Sequence, residues 1–63
     1  MVNIHDDDVA VAARQLIARR GQAARQEAEE RVAELGRLAR WPEHAIAVRV
    51  LTAVENLLDE NRP

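Results

Sequence analysis

The apolar side chains of this chain are small, and this limits what it can fold into. Twelve of its 63 residues are alanine, Trp41 is its single aromatic residue, and phenylalanine and tyrosine are absent. Alanine is the strongest helix former, but burying it removes little more than one methyl group from water. Glycine and proline, which interrupt helices, occur only twice each. The composition therefore predicts an all-α protein whose helices approach closely around a core of small volume.

The length of the chain sets a second limit. Its 63 residues suffice for one small domain and are too few for a deep catalytic cleft. We predict a single helical domain over residues 1–63, with fraying of residues 1–6 and 61–63. Because domains of this size often complete a thin core by oligomerisation, we also predict that a second copy completes the three-helix bundle or array as a homodimer.

Periodicity and breaker residues divide the chain into three helical segments. The aspartates at residues 6–8 can cap the first helix and suit its dipole, and Gly21 can end it in the left-handed conformation. Pro42 suits the first turn of the third helix, whereas Gly36 weakens the end of the second. The predicted helices span about residues 7–20, 22–38 and 42–60.

The third helix carries the broadest apolar surface. Its apolar side chains cover an arc of roughly 160°, wider than the ~100° stripe of a helix that buries one side. Such a helix contacts more than one neighbour. Within one chain, the first and second helices could supply both neighbours, whereas in a dimer the second neighbour could be the same helix of another copy. We therefore predict a protein interface centred on this helix, formed by Ile46, Val50, Leu51, Val54, Leu57, Leu58 and the adjacent Trp41.

The tryptophan has two interpretations. As a structural residue, Trp41 would cover the end of the bundle over Leu38 and Ile46, in the manner of a hydrophobic staple. As a functional residue, it would be an exposed anchor for a partner protein, a role in which tryptophan is over-represented. The scarcity of other large side chains favours the structural interpretation.

The residue types present give little support to catalysis. Cysteine and serine are absent, and Thr52 carries the one hydroxyl group. His5 lies in the acidic amino-terminal stretch, which we interpret as a capping cluster because metal sites need rigidly held ligands. His44 is interpreted as a surface residue, and the neighbouring carboxylates of Glu29 and Glu30 point about 100° apart on a helix. The sequence predicts a protein that is not an enzyme and that holds no cofactor or metal.

The arginines are clustered. Residues 9–25 contain no acid and four arginines that could contact phosphates or neutralise helix ends: Arg14, Arg19, Arg20 and Arg25. A helix-turn-helix unit with Gly21 in its turn fails, because Glu27 and Glu30 stand where its second helix needs apolar residues. The net charge of −2 adds no general attraction to nucleic acid, which remains the alternative partner. Outside the cluster, Arg31 follows Glu27 at i, i+4 spacing and predicts an ion pair.

Neither a targeting segment nor a membrane span is apparent. The amino terminus is acidic where a secretory signal needs basic residues. The longest apolar run covers only residues 9–13, whereas a membrane-spanning helix needs about 20 residues. We expect a protein of the bacterial cytoplasm that does not associate with membranes.

Three stretches carry a resemblance to a known group. They are Ala12, Ala13, Leu16, Ile17 and Gly21; Ala24, Ala28, Arg31, Glu34 and Leu35; and the run Arg49, Val50, Leu51, Thr52, Ala53, Val54, Glu55, Asn56, Leu57 and Leu58. Over residues 9–58 the chain resembles a group of short all-helical proteobacterial proteins with the patterns Leu-Ile-x-x-His-Gly and Arg-Ile-Leu-x-Ala-Val-Glu. The resemblance implies a small all-helical protein, and it transfers no activity.

The chain departs from that group at three places. Arg20 stands where the group has histidine, Ala39 and Arg40 replace a Gly-Asp turn, and Ala47 replaces a tryptophan that is matched only by Trp41 six residues earlier. The junction of the second and third helices is thus the least similar part.

The functional prediction follows from these residues. We expect a small, non-enzymatic interaction or regulatory protein that acts as a homodimer and can bind another protein. The alternative is a nucleic-acid-associated regulator that uses the clustered arginines.

Overall fold

Three α-helices make up almost all of the described chain. The computed structural model describes residues 6–60, with side chains described from residue 8 onward. Helix α1 spans Asp6–Arg20, α2 spans Ala24–Arg37 and α3 spans Trp41–Glu60. No strand occurs within residues 6–60, so the prediction of an all-α fold is confirmed. The fraying predicted at both ends lies outside the described residues, except for Asp6, which already belongs to α1. His5, and with it the interpretation of this residue, also lies outside the described residues.

The turn between α1 and α2 follows the prediction for its glycine. Gly21 has a φ of 57°, the left-handed conformation that costs glycine little. A 3₁₀ turn over Gly21–Ala23 follows, so α2 begins at Ala24, two residues later than predicted. Arg20 then reaches across the turn to Glu27, with 3.2 Å between Nε and Oε2. The ion pair predicted between Glu27 and Arg31 was wrong, because this partner from the preceding helix takes its place.

The turn between α2 and α3 contains an alanine in a glycine conformation. Ala39 has a φ of 55°. Its amide donates to the carbonyl of Gly36 over 3.1 Å, and the amide of Arg40 donates to the carbonyl of Leu35 over 2.9 Å. These two bonds form a Schellman motif, in which glycine is the usual left-handed residue. They satisfy the last carbonyls of α2, which therefore continues past Gly36 to Arg37.

Replacing Ala39 with glycine is expected to stabilise the protein. The Cβ atom of a left-handed residue crowds the following carbonyl, and its removal should raise the free energy of unfolding by about 1 kcal/mol. Urea denaturation followed by circular dichroism, at one fixed protein concentration, measures this change. The matched control is Ala33→Gly at an exposed interior position of α2, expected to lower the same free energy by about 1 kcal/mol. A loss of stability in both variants would contradict the role given to Ala39.

Helix α3 organises the packing. It packs extensively against both α1 and α2, whereas α1 and α2 make few contacts with each other. Among the described side chains, eight apolar ones are buried, and half of these are alanine: Val9, Ala13, Ala24, Ala28, Leu35, Ala47, Val54 and Leu58. The core is therefore small, as the composition predicts. None of the helices within residues 6–60 has the length and apolar character needed to cross a membrane.

Candidate interaction surface

Two of the residues predicted for a protein interface lie in the core. Val54 is completely buried and Leu58 is 8% exposed, and both belong to one buried cluster with Ala13 of α1 and Ala24 of α2. Both pack inside the fold of a single chain, and their part in an interface stays a prediction. The broad apolar arc of α3 is explained in part by its position between α1 and α2.

The remaining large residues of the arc keep part of their surface. Leu51, Leu57, Ile46 and Val50 are all half-buried. Leu57 and Val50 pack against the central cluster. Ile46 and Val50 also face an open space between the helices. This side of α3 is consequently the part of the predicted interface that a second molecule could reach.

That open space is a groove of about 380 Å³ where α1 and α2 diverge over α3. We call it the interhelical groove. Its apolar lining comes from all three helices and consists of Ala12, Leu16, Ala28, Ile46, Ala47 and Val50. Half of these residues are alanine, so short side chains form much of its wall.

Helix periodicity aligns the lining. Ala12, Leu16 and Arg19 of α1 are spaced i, i+4, i+7, which places them on one face. On α3, Ile46 and Val50 are spaced i, i+4 and share a face in the same way. The sequence contained this alignment, but the prediction missed the groove because the divergence of α1 from α2 cannot be read from spacing.

Four charged residues complete the lining, and their charges balance. Arg19 of α1 and Arg31 of α2 are positive, while Glu27 of α2 and Glu43 of α3 are negative. Both arginines are exposed, and neither forms an ion pair with any residue that the structure describes. Glu43 lies 3.8 Å from Arg40 in an exposed contact, of a kind that contributes about 0–1 kcal/mol. The groove therefore has cationic groups without fixed partners beside a carboxylate that is only weakly engaged.

Glu27 has an ion-pair partner but lacks a hydrogen bond at one of its oxygens. Its Oε2 atom lies 3.2 Å from Nε of Arg20, yet this oxygen is shielded from solvent and accepts no hydrogen bond within the described chain. The contact with Arg20 is thus a Coulombic contact without the alignment of a hydrogen bond. A shielded carboxylate oxygen without a hydrogen-bond donor is costly, and within the described chain the charge of Arg20 is what offsets this cost.

Trp41 does not cover the bundle as predicted. Its side chain is 59% exposed, as is that of the neighbouring Leu38 at 58%. The tryptophan ring meets the ring of His44 edge-on, with 5.4 Å between centroids. The exposed-anchor interpretation of Trp41 consequently fits the structure better than the structural one.

His44 was also misjudged as a plain surface residue. It is half-buried and lies against Gly36 of α2, where a Cβ atom on the glycine would come within 3.5 Å of the imidazole. Because its ring also contacts the ring of Trp41, His44 is a packing residue of the α2–α3 junction.

The clustered arginines do not form one free basic surface. Arg20 is engaged across the turn, and Arg25 lies 3.4 Å from Glu55 of α3. Arg14 and Arg19 have no ion pair with a described residue. Of the four arginines predicted to contact nucleic acid, two therefore have a carboxylate partner and two have none among the described residues.

The candidate chemical groups are occupied or dispersed. The hydroxyl of Thr52 donates to the carbonyl of Val48 in its own helix over 3.1 Å, so it is engaged by the backbone. Over the part of the chain that the structure describes, no three histidine or carboxylate side chains come together as metal ligands would. The interhelical groove is more apolar than the depressions beside Glu55 and beside Gln26, although the depression beside Glu55 is larger in volume.

Comparison with known proteins adds no relative. No protein-family model, curated protein or solved structure matches the chain.

Proposed function

We propose that this protein is a small, non-enzymatic interaction or regulatory protein that acts as a homodimer. The observation that carries the proposal is the mismatch between its core and its surface. Four of the eight buried apolar side chains are alanine, while Leu16, Ile46 and Val50 line an open groove. A second molecule on this side would bury large apolar side chains that one chain leaves in water.

The energetics of small domains support this proposal. Each fully buried leucine, isoleucine or valine side chain contributes about 1.5–3 kcal/mol, whereas alanine contributes far less. Small chains with thin cores commonly gain the missing burial by association. Trp41 and Leu38 add a second exposed apolar site at the α2–α3 turn, suited to anchoring another protein.

Sedimentation equilibrium at micromolar concentrations tests the proposal directly. We expect a mass of two chains, twice 7.1 kDa, and a melting temperature that rises with protein concentration because dimerisation stabilises the folded state. A strict monomer that is fully helical at every concentration would overturn the homodimer.

Nucleic-acid binding is the alternative function, and the arrangement of charges argues against it. Arg20 and Arg25 are engaged by carboxylates, and Arg14 and Arg19 alone provide few phosphate contacts. We expect no measurable binding to duplex DNA or RNA at about 50 mM salt, where phosphate contacts are strong. Fluorescence anisotropy with labelled duplexes measures this binding. Salt-sensitive binding that is weakened by Arg14→Ala would support the nucleic-acid function instead.

A further inference from the structure

We infer that the interhelical groove is the dimer interface and that its occupant is the same groove of a second copy, related by two-fold symmetry. The inference rests on the homodimer proposed above and assigns the surface that would form it. This surface differs from the predicted one, since it includes residues of α1 and α2 and excludes Val54 and Leu58, which the core takes.

The apolar lining supplies the attraction. Leu16, Ile46 and Val50 are half-buried in a single chain and converge on the groove from α1 and α3. Burial of the remaining apolar surface favours association in proportion to its area. The depressions beside Glu55 and beside Gln26 are lined mainly by polar and charged residues and do not combine large apolar side chains in this way.

The alanines supply the fit. Ala12, Ala28 and Ala47 stand on the three helices around the groove. Their short side chains let a ridge from another molecule approach the helix axes closely, and interaxial distances depend on the side chains at the contact. The large side chains of one copy can therefore enter the space left by the small ones of the other.

The charged residues of the groove favour a second copy of the chain as its occupant. A two-fold interface places the same patch on both sides, so the patch must be complementary to itself. Two arginines and two glutamates line the groove, so its formal charge is zero and each copy offers both signs. In such an interface the unpaired Arg19 and Arg31 of one copy face the lining carboxylates of the other, of which Glu43 is only weakly engaged by Arg40. A partner of one charge sign would leave half of these groups without a counterpart.

Charge reversal tests this assignment. In an acidic variant, Arg19→Glu and Arg31→Glu make the groove wholly negative, and in a basic variant, Glu27→Gln and Glu43→Arg leave it positive. Like charges across an interface oppose binding strongly, so each variant alone should dimerise at least about tenfold more weakly than the original chain. Mixed in equal amounts, the two variants should form a heterodimer whose Kd is again close to the original value.

The control makes the same change of net charge as the acidic variant, but outside the groove. Arg14 and Arg37 are exposed and lie outside the groove, and Arg14→Glu with Arg37→Glu should leave the Kd of the dimer within about threefold, as expected for remote exposed charges. Sedimentation equilibrium gives each Kd, native mass spectrometry identifies the heterodimer, and circular dichroism establishes that every variant is helical.

The outcomes separate this inference from the proposed function. Weak homodimers that recover on mixing support the groove as the interface. If the original chain dimerises and the variants dimerise equally well, the protein is a homodimer but the groove is not its interface. If the original chain is monomeric at every concentration, the protein is not a homodimer, and a second copy does not occupy the groove.

Discussion

Replacing Val54 with aspartate is expected to unfold the protein. Val54 is the largest completely buried side chain of the described core, and it contacts α1 and α2 through Ala13 and Ala24. A carboxylate at this position has no partner, and leaving a buried charge uncompensated costs about 3–5 kcal/mol. The total stability of a 63-residue chain is of the order of 3–9 kcal/mol. Circular dichroism should show loss of most of the helical signal.

The control for this variant lies on the same helix. Ala45 is exposed on α3, and Ala45→Asp should cost less than about 1 kcal/mol because aspartate differs from alanine there mainly in helix propensity. A milder change, Val54→Ala, should cost about 1–3 kcal/mol and leave a folded protein. A helical and cooperatively unfolding Val54→Asp variant would show that α3 does not depend on this contact.

The helices were predictable because their determinants are local. Gly21 ends α1 in the left-handed conformation, as a helix-ending glycine does. Ala39 takes the same conformation without glycine, and this position was not predicted because alanine carries no such signal. Its conformation instead accompanies the two hydrogen bonds of the turn, whose acceptors are carbonyls in the last turn of α2.

The surface was less predictable because it depends on how the helices cross. Periodicity places Val54, Ile46 and Leu58 on one apolar arc of α3 but does not say which part of the arc faces each neighbour. The structure assigns Val54 and Leu58 to the core and Ile46 to the groove. The same reason explains why Glu27 pairs with Arg20 of the preceding helix and not with the residue one turn away.

Replacing Ile46 with glutamate is expected to separate the dimer into folded monomers. Ile46 is half-buried and lines the interhelical groove, so a carboxylate there remains solvated in one chain. In a dimer closed over the groove, the same carboxylate would be removed from water among apolar side chains. Interface residues of this kind contribute 2 kcal/mol or more when they lie at the centre, so we expect the Kd to rise by about 30-fold or more. Sedimentation equilibrium measures the Kd, and circular dichroism reports whether the monomer stays helical.

Val48→Glu provides the matched comparison for Ile46→Glu. Val48 is also apolar and is 38% exposed, but it lies two residues along α3 and therefore about 200° around the helix from Ile46. The same charge at this position should leave the Kd nearly unchanged if the groove forms the interface. The contrast between the two variants removes net charge and helix propensity as explanations, because both replace a β-branched residue with glutamate in one helix. Equal weakening by both would place the dimer contact on another surface of α3, and weakening by Val48→Glu alone would place it on the side opposite the groove.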